Sequence, residues 1–110
     1  MCNLYSLTLG QDAIRRLFDR EGGLADRRSN LPPLPDLLPG IQAPIVRSAS
    51  EKGGCQLVTS RRGMPWPAFA LKGRRTDPGV TDIRNTASRH WRRWLGPAHR
   101  CLVPFTAFSE

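Results

Sequence analysis

A chain of 110 residues has room for one hydrophobic core, and a hydrophobic fraction of 39% with ten Gly and ten Pro predicts a loop-rich single domain over residues 1–110. Seventeen Lys and Arg against nine Asp and Glu leave +8, nearly all of it arginine, whose planar fork matches phosphate oxygens; nucleic acid is the natural partner. Three cysteines (Cys2, Cys55, Cys101) cannot close a disulfide set and show no C-x2-4-C spacing, His90 and His99 stand nine residues apart, and no signal peptide or apolar run of the roughly 20 residues of a membrane span is present, which argues against a secreted disulfide scaffold, a zinc site and a transmembrane protein.

The chain opens MCNLYS. Cysteine is small enough for the initiator methionine to be trimmed, which would leave Cys2 with an α-amine and a thiol on adjacent carbons. Their unperturbed pKa values, about 8 and about 8.5, let a modest shift make either nucleophilic near neutral pH. A frayed, idle terminus or a small buried hydrophobe is the competing reading of the same residue, and the dipeptide alone does not choose.

Thr8-Leu9-Gly10-Gln11 has the T-x-x-Q form of a capping box, and behind it Ile14, Leu17 and Phe18 recur at helical spacing with Arg15, Arg16 and Arg20 on the other face. This predicts a short amphipathic helix ending at Gly22-Gly23, its arginines a solvated face. In the stretch from Asp26 to Pro44, five prolines crowd into the last thirteen positions. Neither helix nor central strand is compatible with that density, so an irregular loop is predicted, wrapping the surface or lining a groove. Ala43 to Val46 and Gln56 to Thr59 have the β-branched content of strands and flank a turn-like stretch, Ser48 to Gly54, which predicts antiparallel neighbours.

Gly63 to Gly79, GMPWPAFALKGRRTDPG, is rich in turn residues, with Trp66 and Phe69 interleaved among Arg61, Arg62, Lys72, Arg74 and Arg75. Single-stranded nucleic acid is commonly gripped this way, rings stacking on bases while cations track phosphates. Trp66 and Phe69 equally fit a role as core plugs beneath a basic loop. Ser88 can cap a second helix, SRHWRRWLGP, with Trp91, Trp94 and Leu95 on one face as core, Arg89, Arg92 and Arg93 elsewhere, and Gly96-Pro97 as the stop. The last segment, RCLVPFTAFSE, has strand composition: Cys101, Val103 and Phe105 alternate against Leu102 and Thr106, and Pro104 marks an edge or a bulge.

MCNLYS, IRNTAS and CLVPFTAFSE, in this order, resemble the SOS response-associated peptidase family, whose members process abasic sites in single-stranded DNA. The resemblance runs from Cys2 to Glu110 and is specific at the start and from about Gly63 onward, with Ala43-Pro44 and GMPW at similar turns. It implies an α+β domain built on a curved antiparallel, barrel-like sheet with two short helices. It also implies that Cys2 is the catalytic N-terminal cysteine, in a basic groove, and that Asn85 and Glu110 are the active-site asparagine and glutamate. A ring-opened abasic sugar presents an aldehyde; the Cys2 amine would condense with it to a Schiff base and the thiol would then close a five-membered thiazolidine, favoured because closure is intramolecular. A carboxylate such as Glu110 can shuttle protons, and the Asn85 amide offers a donor and an acceptor without charge. Neither a cofactor nor a metal is called for.

Several positions depart from the family's pattern. Asn3 and Leu4 stand where many members have Gly and Arg, Arg62 precedes Gly63 where tryptophan is common, and Asn85-Thr86-Ala87 replaces Asn-Ala-Arg, leaving Arg84 as a substitute cation. DNA contacts are thus expected from Arg62, Trp66, Lys72, Arg74, Arg75 and Arg84. The family domain continues past its glutamate and contributes a histidine that neither His90 nor His99 can supply, since both precede Glu110. An incomplete domain is therefore expected, with unpaired strand edges and exposed apolar surface. The expected protein is a cytoplasmic, nucleoid-associated monomer acting on single-stranded DNA that contains abasic sites. Alternatives are a non-catalytic, basic single-stranded-DNA-binding fragment and a thiol peptidase acting on protein.

Overall fold

The computed structural model describes residues 4–18, 24–26, 31–49 and 53–109. Over these the chain runs β1 (Leu4–Leu7), α1 (Gln11–Phe18), β2 (Leu24–Asp26), β3 (Leu34–Leu37), β4 (Gln42–Ser48), β5 (Cys55–Arg61), α2 (Ala68–Leu71), α3 (Arg89–Arg92), a 3-10 turn (Pro97–His99) and β6 (Ala107–Ser109). The content is α+β, with three short α-helices where two were expected, α2 being a single turn within the Gly63–Gly79 stretch. None of the described helices is long and apolar enough to cross a membrane.

The strands form two three-stranded sheets, ordered β3-β1-β6 and β2-β5-β4. In the first, β1 is central and antiparallel to both neighbours, Leu4 facing Ser109 and Tyr5 facing Phe108 on one side, Tyr5 facing Leu37 and Leu7 facing Leu34 on the other. In the second, β4 and β5 pair antiparallel from Gln42–Arg61 to Ser48–Cys55, as the sequence predicts, whereas β2 joins β5 in parallel. Apart from the β2–β5 pairing the sheets are antiparallel, as expected, and the described residues form no closed barrel. A single pairing, Val46 with Leu102, ties the crossing chain to the second sheet.

Alternation places the core. Tyr5 and Leu7 point inward from β1 while Leu4 and Ser6 are half-buried, the period of two that a pleated strand imposes. They meet Leu37 from β3, Ala43 and Val46 from β4, Leu57 from β5 and Ile14 from α1 in one cluster, with Phe18, Leu31, Leu34 and Cys55 packed at its margin. The core therefore lies between the two sheets, closed on one side by α1.

Five local expectations are corrected. The capping box does not form, because its partners are engaged elsewhere: Thr8 N–H donates to Thr106 Oγ1 at 2.9 Å and Gln11 Oε1 accepts from Leu31 N–H at 3.1 Å. The carbonyl of Gly10 takes the first helical N–H groups, those of Ala13 and Ile14. Leu17 is 66% exposed although it shares the spacing of buried Ile14, since eight residues of helix give the sheets only a narrow stripe to cover; the predicted helix end at Gly22-Gly23 and Arg20 lie outside the described residues.

The proline-rich segment is not wholly irregular. Leu34–Leu37 forms an edge strand, where Pro35 forfeits no obligatory ladder bond, and Leu37 becomes fully buried. Pro44 lies inside β4, also at an edge. Two residues on, Val46 N–H donates to Leu102 rather than to β5, so the donor Pro44 lacks falls on the side away from the ladder. The predicted strand from Cys101 to Thr106 reduces to the Val46–Leu102 pairing, and the strand resumes only at Ala107, because here the chain crosses from the second sheet to the first. The second helix spans only Arg89–Arg92; Ser88 caps it through its carbonyl, which accepts from Trp91 and Arg92, with no side-chain bond.

Candidate nucleic-acid interface

β5 ends in Arg61 and Arg62, and the next residues build a tight turn. Gly63 and Gly79, both with positive φ, lie back to back, and a Cβ on Gly63 would stand 3.0 Å from the Gly79 Cα. That close approach lets Met64 and Val80 exchange two backbone hydrogen bonds of 2.8 Å. Asp77 locks the loop between them: its carboxylate accepts from Gly79 N–H and Trp66 N–H, each at 2.8 Å. The Gly79 bond leads in holding the Asp77 pKa below its usual 3.8; desolvation opposes this, and the Trp66 bond and the Arg61 charge reinforce it. Arg61 also donates to the Asp77 carbonyl.

Between this loop, β4, the crossing segment and the first sheet lies a groove of about 760 Å³. Its apolar surface includes the cross-strand pair Tyr5 and Phe108, together with Ile45, Met64, Val80 and Phe105; its cations are Arg47, Arg61, Arg62 and Arg100, with His99 beside them. No carboxylate is among the described residues that line it. Phe105 and Phe108 stack edge to face with centroids 5.4 Å apart, and both are more than half exposed. Such a surface pairs π-faces with positive charge.

Of the sequence-predicted DNA contacts, Arg62 alone lines this groove. Its guanidinium sits 5.0 Å over the Tyr5 ring and donates to the Leu37 carbonyl, so it also ties the end of β5 to the first sheet. The remaining five lie along the following chain. Trp66 is half-buried, with Arg74 6.0 Å above its ring and its indole Nε1 buried without a partner among the described residues. Lys72, exposed, ends α2 in the left-handed conformation at φ 41°, Arg75 is exposed, and Arg84 pairs with Asp82 at 3.2 Å. Phe69, between them, is 81% exposed and is no core plug.

Asn85 is exposed, and its Oδ1 accepts from Ala87 N–H at 3.1 Å, a local turn that leads into α3. It does not line the groove. Trp91 is buried as expected, but in a satellite cluster with His90 and half-buried Trp94 and not in the main core; His90 Nε2 meets the Pro65 carbonyl at 2.8 Å and so ties α3 to the aromatic loop. Cys2 and Glu110 lie outside the described residues.

Sequence reasoning missed Arg47, Arg100, Phe105 and Phe108 as surface residues of one groove. Their separation along the chain hides them, since the Val46–Leu102 bridge and the β1–β6 ladder bring those segments together in the fold. No protein-family model matches the chain, and no curated protein matches it.

Proposed function

We propose that this protein binds single-stranded DNA and captures abasic sites covalently through Cys2, as a monomer of the cytoplasm and its nucleoid. One observation carries the reading. The two strands leading in sequence to Cys2 and to Glu110 are hydrogen-bonded neighbours, Leu4 opposite Ser109, and their Tyr5–Phe108 pair walls a cationic groove without a lining carboxylate among the described residues. A phosphodiester strand suits that groove, with Arg47, Arg61, Arg62 and Arg100 toward phosphates and Phe105 and Phe108 toward bases. Lys72, Arg74, Arg75 and Arg84, with Trp66, extend the contact along the outer loop. In this reading the two sheets are parts of one curved, barrel-like wall.

The chemistry follows from the groups at the trimmed N-terminus. The α-amine of Cys2 adds to the C1′ aldehyde and loses water to form an imine; the thiol adds to the imine carbon, its proton passing to nitrogen, and a thiazolidine closes. Glu110 moves the protons and Asn85 holds the sugar or the terminal backbone. No cofactor or metal takes part.

The Met-trimmed protein, its trimming established by intact mass, is incubated with single-stranded DNA carrying an abasic site. A shifted adduct on a denaturing gel, absent with Cys2→Ala, is the expected result. Salt-sensitive binding to intact and abasic strands alike, without adduct, would leave a non-catalytic binding module. One observation favours that second reading: the Asn85 carbonyl oxygen is already engaged by its own turn, at an exposed position.

A further inference from the structure

Nine large hydrophobic side chains stand exposed among the described residues, and four of them, Leu102, Val103, Phe105 and Phe108, fall within one seven-residue stretch. That stretch runs into β6, which has β1 on one side and no described strand on the other. Natural sheets blunt such edges with prolines and charges. The opposite edge of this sheet follows the rule, β3 carrying Pro35 and Asp36. β6 does not: Ala107, Phe108 and Ser109 are all exposed and none is charged. An uncharged edge bordered by exposed phenylalanines has the character of a surface that is covered in use.

The charge around it selects what covers it. The groove beside β6 holds Arg47, Arg61 and Arg100, and no described carboxylate lines it. Arg47 is met by the neutral Gln56 amide at 2.9 Å and Arg100 by the Leu95 carbonyl at 3.4 Å, so neither charge is neutralised among the described residues. A second copy of this chain would bring a further +8 to a cationic surface.

We propose that the free edge of β6 receives an extended acidic polypeptide strand. Its backbone hydrogen-bonds along Ala107–Ser109, and the side chains of its groove face, every second residue, combine an apolar group against Phe105 and Phe108 with carboxylates toward Arg47, Arg61 and Arg100. Strand addition of this kind draws affinity from the backbone ladder and selectivity from alternate side chains. β6 is only three residues long, so the groove contacts decide which strand is accepted. The added strand shares the groove with single-stranded DNA and excludes it, but the proposal does not depend on Cys2 chemistry.

The full chain is titrated with a fluorescent peptide whose every second position carries phenylalanine or glutamate, with threonine between them, and with its lysine counterpart, while amide exchange is followed at Ala107–Ser109. The glutamate peptide is expected to bind at least about tenfold more tightly and to slow exchange in β6. Arg100→Glu narrows the preference and tightens the lysine peptide, a gain that a merely unfolded variant cannot show, and Phe108→Lys abolishes binding with its melting temperature retained. Equal binding of both peptides, unchanged exchange in β6, or an unaltered preference in Arg100→Glu overturns the proposal. So does concentration-dependent dimerisation lost in Phe108→Lys, which would give the edge to a second copy. An oligothymidylate that slows β6 exchange as strongly as the glutamate peptide would give the edge to nucleic acid and overturn the proposal as well.

Discussion

Replacing Gly63 with alanine tests whether the loop that borders the groove depends on two backbones in contact. Two costs add. Gly63 has φ of 102°, a conformation close to glycine-only, which costs an L-residue about 1–3 kcal/mol. The new Cβ would lie 3.0 Å from the Gly79 Cα and 3.4 Å from its carbonyl carbon, backbone atoms that no rotamer change can move aside. Relieving such overpacking costs about 1–3 kcal/mol more. The sum, about 2–6 kcal/mol, is a large share of the roughly 5–15 kcal/mol that holds a domain of this class folded. At about 4 °C per kcal/mol for a chain of this size, the melting temperature should fall by about 8–24 °C. Gly73→Ala is the internal control, since Gly73 also has positive φ, 76°, but a methyl group on its Cα would meet no atom within 4 Å. It should lose only the conformational part, about 1–2 kcal/mol. Thermal unfolding by near-ultraviolet circular dichroism, with urea titration to establish a common m-value, measures both. Equal losses in the two variants would refute the close-contact argument.

Ile14→Ala should destabilise by about 2–5 kcal/mol and Leu17→Ala by less than about 0.5, because Ile14 is 1% exposed and Leu17 66% although both sit on α1; urea midpoints decide. Asp77 is held below its usual 3.8, so its ionised form contributes stability that is complete above that pH and is lost as pH falls through its folded value. The melting-temperature gap between the protein and Asp77→Asn should therefore be constant near neutrality and narrow below pH 3.8; a gap unchanged down to strong acid contradicts it. Arg47→Gln and Arg100→Gln should each flatten the salt dependence of single-strand binding, log K against log salt, by about 0.7, whereas Arg16→Gln on the exposed face of α1 should leave it unchanged.

Local patterning made part of this molecule legible. The β4–β5 hairpin follows from two β-branched runs around a glycine-rich turn, and the inward side of α1 follows from Ile14, because adjacent residues settle both outcomes. The capping box failed for the complementary reason: Thr8 and Gln11 found partners at Thr106 and Leu31, far along the chain, which a local motif cannot anticipate. The proline-rich segment misled because proline's penalty depends on whether its strand is an edge, and edge position is a property of the sheet.

The same division governs the candidate site. Net charge, the richness in arginine, and the order of Cys2, Asn85 and Glu110 belong to the linear chain and need no fold to be read. Which arginines share a surface does not. Arg47 and Arg100 meet at one groove through the pairing of Val46 with Leu102, and Phe108 joins them through Tyr5, contacts closed over roughly half to nearly all of the chain's length. Composition sets the sign of the charge, while long-range strand pairing decides where that charge accumulates and what apolar surface stands beside it. A neutral edge such as β6 is invisible in sequence, because a strand's neighbours, and hence its unpaired side, exist only once the sheet has assembled.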